Sequence, residues 1–188
     1  MKSISILLIL SVIHFIGFGQ DETIQLQNEP IEFDADGFYI KKIVDARENK
    51  GDIGFVQKGV FKKTKVDAQL KGGVEKAVFD YLEENFDQDK NGVPIVLHIT
   101  ELKISESSSL PITGKAEVKI EFFRFKDGSI GKLYESEAFV EKPAVNVTKT
   151  HEERIREVVS TCIESFNKSD WKTAEPMYFK EKQQYTRN

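Results

Sequence analysis

Between Lys115 and Lys126 the chain alternates. Ala116, Val118, Ile120 and Phe122 occupy one phase, and Glu117, Lys119 and Glu121 the other. Side chains along a strand point to opposite faces in turn, so this pattern predicts a strand with one face covered and one in water. Residues 95–106 and 130–141 flank it and read as two further strands of a meander. Asp127-Gly128 supplies the turn into the last of them, because Gly accepts the positive φ of a tight hairpin. In residues 95–106, Ile95, Leu97 and Ile99 share one phase while Leu102 and Ile104 take the other. That switch at Thr100-Glu101 predicts a β-bulge, since one extra residue re-aims every side chain after it. Pro94 fits only at the strand's start, where no ladder donor is required. Phe123 and Phe125 also reverse phase, which places an aromatic cluster on the opposite face near the turn.

The helical period appears twice. Thr150 and Glu153 have the spacing of a capping box, and Ile155, Val158, Val159, Cys162, Ile163 and Phe166 trace a continuous apolar stripe behind them. Burying those six side chains contributes roughly 10 kcal/mol before entropy is subtracted. In residues 67–86, Leu70, Val74, Ala77, Val78, Tyr81 and Leu82 form a second stripe. Gly72-Gly73 near its start costs roughly 2 kcal/mol of propensity against two alanines. Either the backbone approaches the sheet closely there, or the helix begins at Gly73. Residues 38–46 are apolar in both phases, as a strand buried on two sides would be, and 55–66 reads as a shorter, weakly patterned strand. The polar stretch 20–37 reads as a flexible N-terminal arm and 169–188 as an irregular C-terminal tail. The expected architecture is α+β: a two-layer, single domain over residues 38–168, with a mostly antiparallel sheet of about five strands and two helices packed on one face.

The first residues add a compartment. Lys2 precedes an apolar run from Ile4 to Phe18, with Gly17 and Gly19 placed for cleavage before Gln20. This is the layout of a signal peptide over residues 1–19, with an uncleaved anchor as the alternative. The chain is expected to be exported, periplasmic or secreted, with no membrane span after Phe18. Its formal net charge is −4, a poor match to nucleic acid, whose phosphates require a basic face. Cys162 is the only cysteine, so no intrachain disulfide is possible and the fold rests on its core.

Candidate chemistry is sparse. Asp87-Gln88-Asp89-Lys90-Asn91-Gly92 matches the first half of a calcium loop, with oxygens from Asp87, Asp89 and Asn91 and the glycine at its sixth position. The twelfth position, where a bidentate Glu belongs, is His98, and a strand follows in place of a helix; a helix-to-strand turn is the simpler reading. His98, His151 and Cys162 are too few for a zinc site without carboxylates, and Cys162 on the apolar stripe reads as a core residue. The Ser105–Ser109 cluster has no oriented His beside it, so a nucleophilic triad is not indicated. Lys58, Lys62, Lys63 and Lys65 make a local basic patch, suited to a guarded edge strand or to an anionic group. Phe123 and Phe125 suit either a partner or the C-terminal tail.

Ile43-Val44-Asp45-Ala46-Arg47 followed by Ile53-Gly54, a helix, a meander and a final Glu-Arg-Ile-Arg helix resembles envelope lipoproteins of the YajG kind, and ABC-transport auxiliary lipoproteins are similar. The resemblance covers most of residues 38–167. It implies that Asp45 and Arg47 close a strand end, and that the protein serves a non-enzymatic envelope role toward an unknown protein or envelope component. Those lipoproteins carry a lipid on an N-terminal Cys, which this chain lacks. The function expected is that of an exported accessory or binding protein without catalysis or cofactor; a calcium-dependent binding module using Asp87, Asp89 and Asn91 is the alternative.

Overall fold

The computed structural model describes residues 21–58, 64–107, 111–143 and 146–180. The signal-like leader, Lys62 and Lys63 of the basic patch, and Ser108 and Ser109 lie outside them. The strands are β1 (Glu22–Ile24), β2 (Phe38–Asp45), β3 (Phe55–Lys58), β4 (Thr64–Leu70), β5 (Val93–Glu106), β6 (Thr113–Lys126), β7 (Ser129–Pro143) and β8 (Tyr178–Lys180); the helices are α1 (Val74–Asn85) and α2 (His151–Asn167). The main sheet has the order β2-β5-β6-β7-β8, antiparallel except where β2 runs parallel to β5. Both helices lie on one face of it, α1 against β2 and α2 over β6 and β7. This is the expected α+β, two-layer arrangement.

The meander forms as its pattern requires. Asp127 (φ 48°) and Gly128 (φ 75°) both take positive φ at the β6–β7 turn, the backbone of a two-residue hairpin loop that matches strand twist. The β5–β6 register jumps between Ile99 and Glu101. The bulge therefore keeps Ile95, Leu97 and Ile99 on the same buried face as Leu102 and Ile104. Ala116, Val118, Ile120 and Phe122 are all buried beneath α2. At the centre of the interface the Phe166 ring stacks on Phe122, centroids 4.4 Å apart and planes 7° apart, while Phe38 meets Phe166 edge-on at 5.1 Å.

Four expectations are corrected. Residues 67–70 are the end of a strand: β4 runs to Leu70, and Gly72 and Gly73 (φ 83° and 86°) break the chain so that α1 starts at Val74 with Gly73 as its N-cap. Val66, Ala68 and Leu70 alternate, and Leu70 also fits a helical stripe four residues before Val74, so both periods suited this stretch. The region 55–66 is not one strand; β3 and β4 pair antiparallel. Thr150 flanks α2 but makes no side-chain cap, because a 3₁₀ turn (Thr148–Thr150) precedes it and the hydroxyl donates to the Val147 carbonyl at 3.0 Å.

The termini are tied down, which is the fourth correction. β1 pairs parallel with β4 and joins β3 in a small three-stranded sheet; Ile24 and Leu26 enter the same continuous core as the main sheet. Past it, Ile31 N–H donates to Asn85 O (2.8 Å) and Ala35 N–H to Asp87 O (2.9 Å), so residues 21–37 brace the end of α1. In the tail, Trp171 is buried with its ring 5.2 Å from Phe166, and β8 adds to the edge of β7. Few apolar residues in polar company suffice here, because each lands on a core that others have already built.

Candidate functional site

Asp45 ends β2, and the chain must then turn away from β5. Arg47 makes that turn rigid. Its Nε and Nη2 donate to Asp45 Oδ1 and Oδ2, both at 2.8 Å, and its Nη1 donates to the Asp52 carbonyl at 2.7 Å. Such forked pairing fixes geometry as well as charge. The side chains of Arg47 and Asp45 are only 7% and 11% exposed. Burial alone would push the Asp45 carboxyl up, but the bonds from Arg47 outweigh it and hold the group below the usual aspartate range. Glu75, in the first turn of α1, accepts from Asp45 N–H at 2.8 Å and ties the helix to the same point.

The loop returns over β5 at Gly54. Ile104 N–H donates to Ile53 O at 2.7 Å, and Ala68 N–H donates to Gly54 O at 2.9 Å. A Cβ on Gly54, whose φ is 111°, would sit 2.0 Å from the Ile104 carbonyl oxygen, so only glycine allows this crossing. Between the loop and the bulge of β5 lies an open cleft of about 500 Å³, bordered by Arg47, Asn49, Asp52, Thr100, Glu101 and Lys103. Its polar groups bond one another: Asp52 accepts from Gly54 N–H (2.8 Å), Asn49 accepts from Gly51 N–H (2.9 Å), and Lys103 pairs with Glu101. Ala46, Arg47, Ile53 and Gly54 thus border one preformed cleft, with Asp45 and Arg47 closing a strand end, while Val44 packs with Val96, Phe123 and Ile130.

The calcium-loop residues are placed otherwise. Asp89 Oδ1 accepts from Asn91 N–H at 3.0 Å and the Asp89 carbonyl from Gly92 N–H at 2.8 Å, a compact turn between α1 and β5. Asp87 offers its carbonyl to Ala35, and Gln88 reaches Ile40 N–H at 2.6 Å. Among the described residues no three His, Cys, Asp or Glu side chains gather to hold a metal ion.

His151 is fully buried at the start of α2, its Nε2 3.4 Å from Glu106 Oε1, an ion-pair distance with poor hydrogen-bond geometry. Glu106 also accepts from Thr148 Oγ1 (2.6 Å) and Gln57 N–H (3.2 Å). Burial raises this carboxyl, but the His151, Thr148 and Gln57 contacts prevail and keep it below the ordinary glutamate range. Beside it Arg154, buried, donates to Thr150 Oγ1 (2.7 Å) and the Lys142 carbonyl (3.0 Å). The cluster pins β3, β5 and α2 together. One sign of it stood in the sequence: after the phase switch, Glu106 continues the buried positions of Leu102 and Ile104.

His98 lies against Phe123 with the ring planes tilted by 42°, centroids 4.5 Å apart. Cys162 is buried, which pushes its thiol up to about 11. Lys58 pairs with Glu22 at 2.5 Å, and Lys65 Nζ sits 4.0 Å from the centroid of the Phe55 ring, so the described part of the basic patch braces the small sheet. Phe123 is buried under the tail, Phe179 meeting it edge-on at 6.1 Å, and belongs to a small second cluster with Val44, Val96 and Ile130; Phe125 packs against it. No helix among the described residues is long and apolar enough to cross a membrane. No protein-family model, curated protein or solved structure matches this chain.

Proposed function

We propose that the protein is exported and serves, in the periplasm or outside the cell, as a non-enzymatic accessory or binding protein of the cell envelope. The signal-like leader supports export, and a single buried thiol suits a fold that needs no disulfide in an oxidising compartment. The observation that carries the binding role is the cleft beside Arg47. Its wall is braced on β2 and α1, and Arg47, Asn49 and Asp52 on its border are each hydrogen-bonded within the loop that forms it. A rigid concave surface costs little ordering when a partner arrives, which favours recognition.

Photo-cross-linking in the native envelope tests this. A photoreactive residue at Asn49 or Lys103, on the rim, is expected to yield one discrete adduct that a residue at Asp127, on the hairpin tip, does not. Recovery of the protein in the cytoplasmic fraction, or the same diffuse adducts from all three positions, would overturn the proposal.

A further inference from the structure

The outer edge of β7 has no strand beside it beyond Gly131 among the described residues. β8 pairs only with Ser129, Ile130 and Gly131. Just upstream of β8, Pro176 lies against Gly131 and has no N–H to extend the ladder. Residues 132–141 therefore present about 30 Å of strand edge at roughly 3.3 Å per residue. The far edge of the sheet is treated differently, since on β2 the Ile40 and Asp45 N–H groups are taken by Gln88 and Glu75 side chains.

Side chains along this edge divide cleanly. Tyr134, Ser136, Ala138 and Val140 face α2; the Tyr134 hydroxyl lies 2.9 Å from Ser165 Oγ, and Ser136 and Ala138 are small and half-buried. On the open face stand Glu135, Glu137, Phe139 and Glu141. Phe139 is 59% exposed in the middle of that row. Beside it is a depression of about 400 Å³ bordered by Glu101, Glu117, Lys119 and Glu137. The lysines present are already drawn to carboxylates, Lys119 to Glu135 (2.5 Å), Lys132 to Glu121 and Glu135 (2.7 and 2.5 Å), and Lys115 to Glu141 (3.0 Å). The surface around Phe139 keeps an acidic excess.

We infer that residues 132–141 of β7 are a docking edge for an extended segment of a partner protein that alternates basic and apolar side chains and adds to the sheet as a further strand. Main-chain bonds to an open edge supply affinity, and alternate side-chain sites supply specificity. Basic side chains on the partner's open face would meet Glu137 and its neighbours, with an apolar one against Phe139. A second copy of this edge fits poorly. Two-fold antiparallel pairing of β7 with itself, centred anywhere from residue 136 to 139, sets Glu135 or Glu137 against Glu135, Glu137 or Glu141, and like charges directly opposite destabilise a sheet. Charges do guard edges against chance pairing, but an exposed phenylalanine among them works against that purpose.

This inference rests on the binding role proposed above only for the existence of a partner. Hydrogen exchange of the protein is measured with a short peptide alternating lysine and valine, and with one alternating glutamate and valine. Slowed exchange in residues 132–141 with the lysine peptide alone is expected, and loss of the effect when that peptide is N-methylated and cannot complete a ladder. Glu137→Lys, on an exposed position, is expected to weaken binding about fivefold with an unchanged melting temperature. Unchanged exchange over 132–141, or equal slowing by the N-methylated peptide, would overturn the assignment. Slowing that grows with protein concentration in the absence of peptide would also overturn it, in favour of a second copy. A Glu137→Lys chain that captures its envelope partner as well as wild type defeats the edge alone; a wild-type chain that captures none defeats the binding role itself.

Discussion

Arg47→Met isolates the brace of the cleft. The substitution removes the two 2.8 Å bonds to Asp45 and the 2.7 Å bond to the Asp52 carbonyl while keeping most of the aliphatic stem. Asp45 is left buried with the Arg47 backbone N–H, at 3.2 Å, as its remaining donor from that residue. Deleting one partner of a buried pair costs about 3–5 kcal/mol, because the other charge stays behind without compensation. The residual 11% exposure of Asp45 and its surviving backbone bond place the value at the low end, about 3 kcal/mol. For a domain of this size that is a drop in melting temperature of about 6–12 °C. Urea unfolding followed by the fluorescence of Trp171, the only tryptophan, measures it directly. The pH dependence carries the sharper test. In the wild type the folded Asp45 titrates below its unfolded value, so its contribution is present above about pH 4 and lost as pH falls through the depressed folded value. Without the guanidinium, burial is opposed only by the backbone N–H of residue 47 and the charge of Lys50, so the folded value rises relative to wild type and the variant should recover stability, relative to wild type, as pH falls through the carboxylate range. A cost under about 1 kcal/mol at pH 7, or parallel pH curves for the two proteins, would refute the assignment of Arg47 as a buried brace.

Other outcomes follow from single contacts. Gly54→Ala places a methyl group 2.0 Å from the Ile104 carbonyl at φ 111° and should cost more than about 2 kcal/mol by thermal unfolding, whereas most surface substitutions lie within about 0.5 kcal/mol. Phe166→Ala removes the ring stacked on Phe122 and beside Trp171; a loss of about 3–5 kcal/mol and a red-shifted tryptophan emission are expected. Calorimetric titration with Ca²⁺ should give no heat at millimolar metal, since Asp89 is engaged with Asn91 and Gly92 in a turn; heat that disappears in Asp87→Asn would restore the calcium reading.

The parts of the fold legible from sequence were those where one residue pattern had a single structural solution. Alternation through Ala116–Phe122 fits only a strand covered on one side, and the phase switch at Thr100-Glu101 needs an inserted residue. The stripe on α2 is long enough to exclude a strand. Leu70 shows where this logic stops, because it satisfied two periods at once and only the paired glycines after it decided which element owned it. The termini were hidden for another reason: Ile24, Leu26 and Trp171 are buried by distant elements, and local polarity says nothing of that. Asp45 and Arg47 were visible as a charged pair, but not the cleft they brace, which also needs Gly54 crossing Ile104. The edge of β7, open among the described residues, was invisible because pairing is a property of the whole sheet.

The role of the cleft is tested most directly by filling it without unfolding the protein. Lys103 lies on its rim, on a strand, with its side chain well exposed, so Lys103→Trp should fold with a melting temperature near wild type. Capture of cross-linked partner from native envelopes is expected to fall by about tenfold in this variant, the equivalent of roughly 1.4 kcal/mol of lost binding. Capture at wild-type yield by a folded Lys103→Trp chain would contradict the cleft's role.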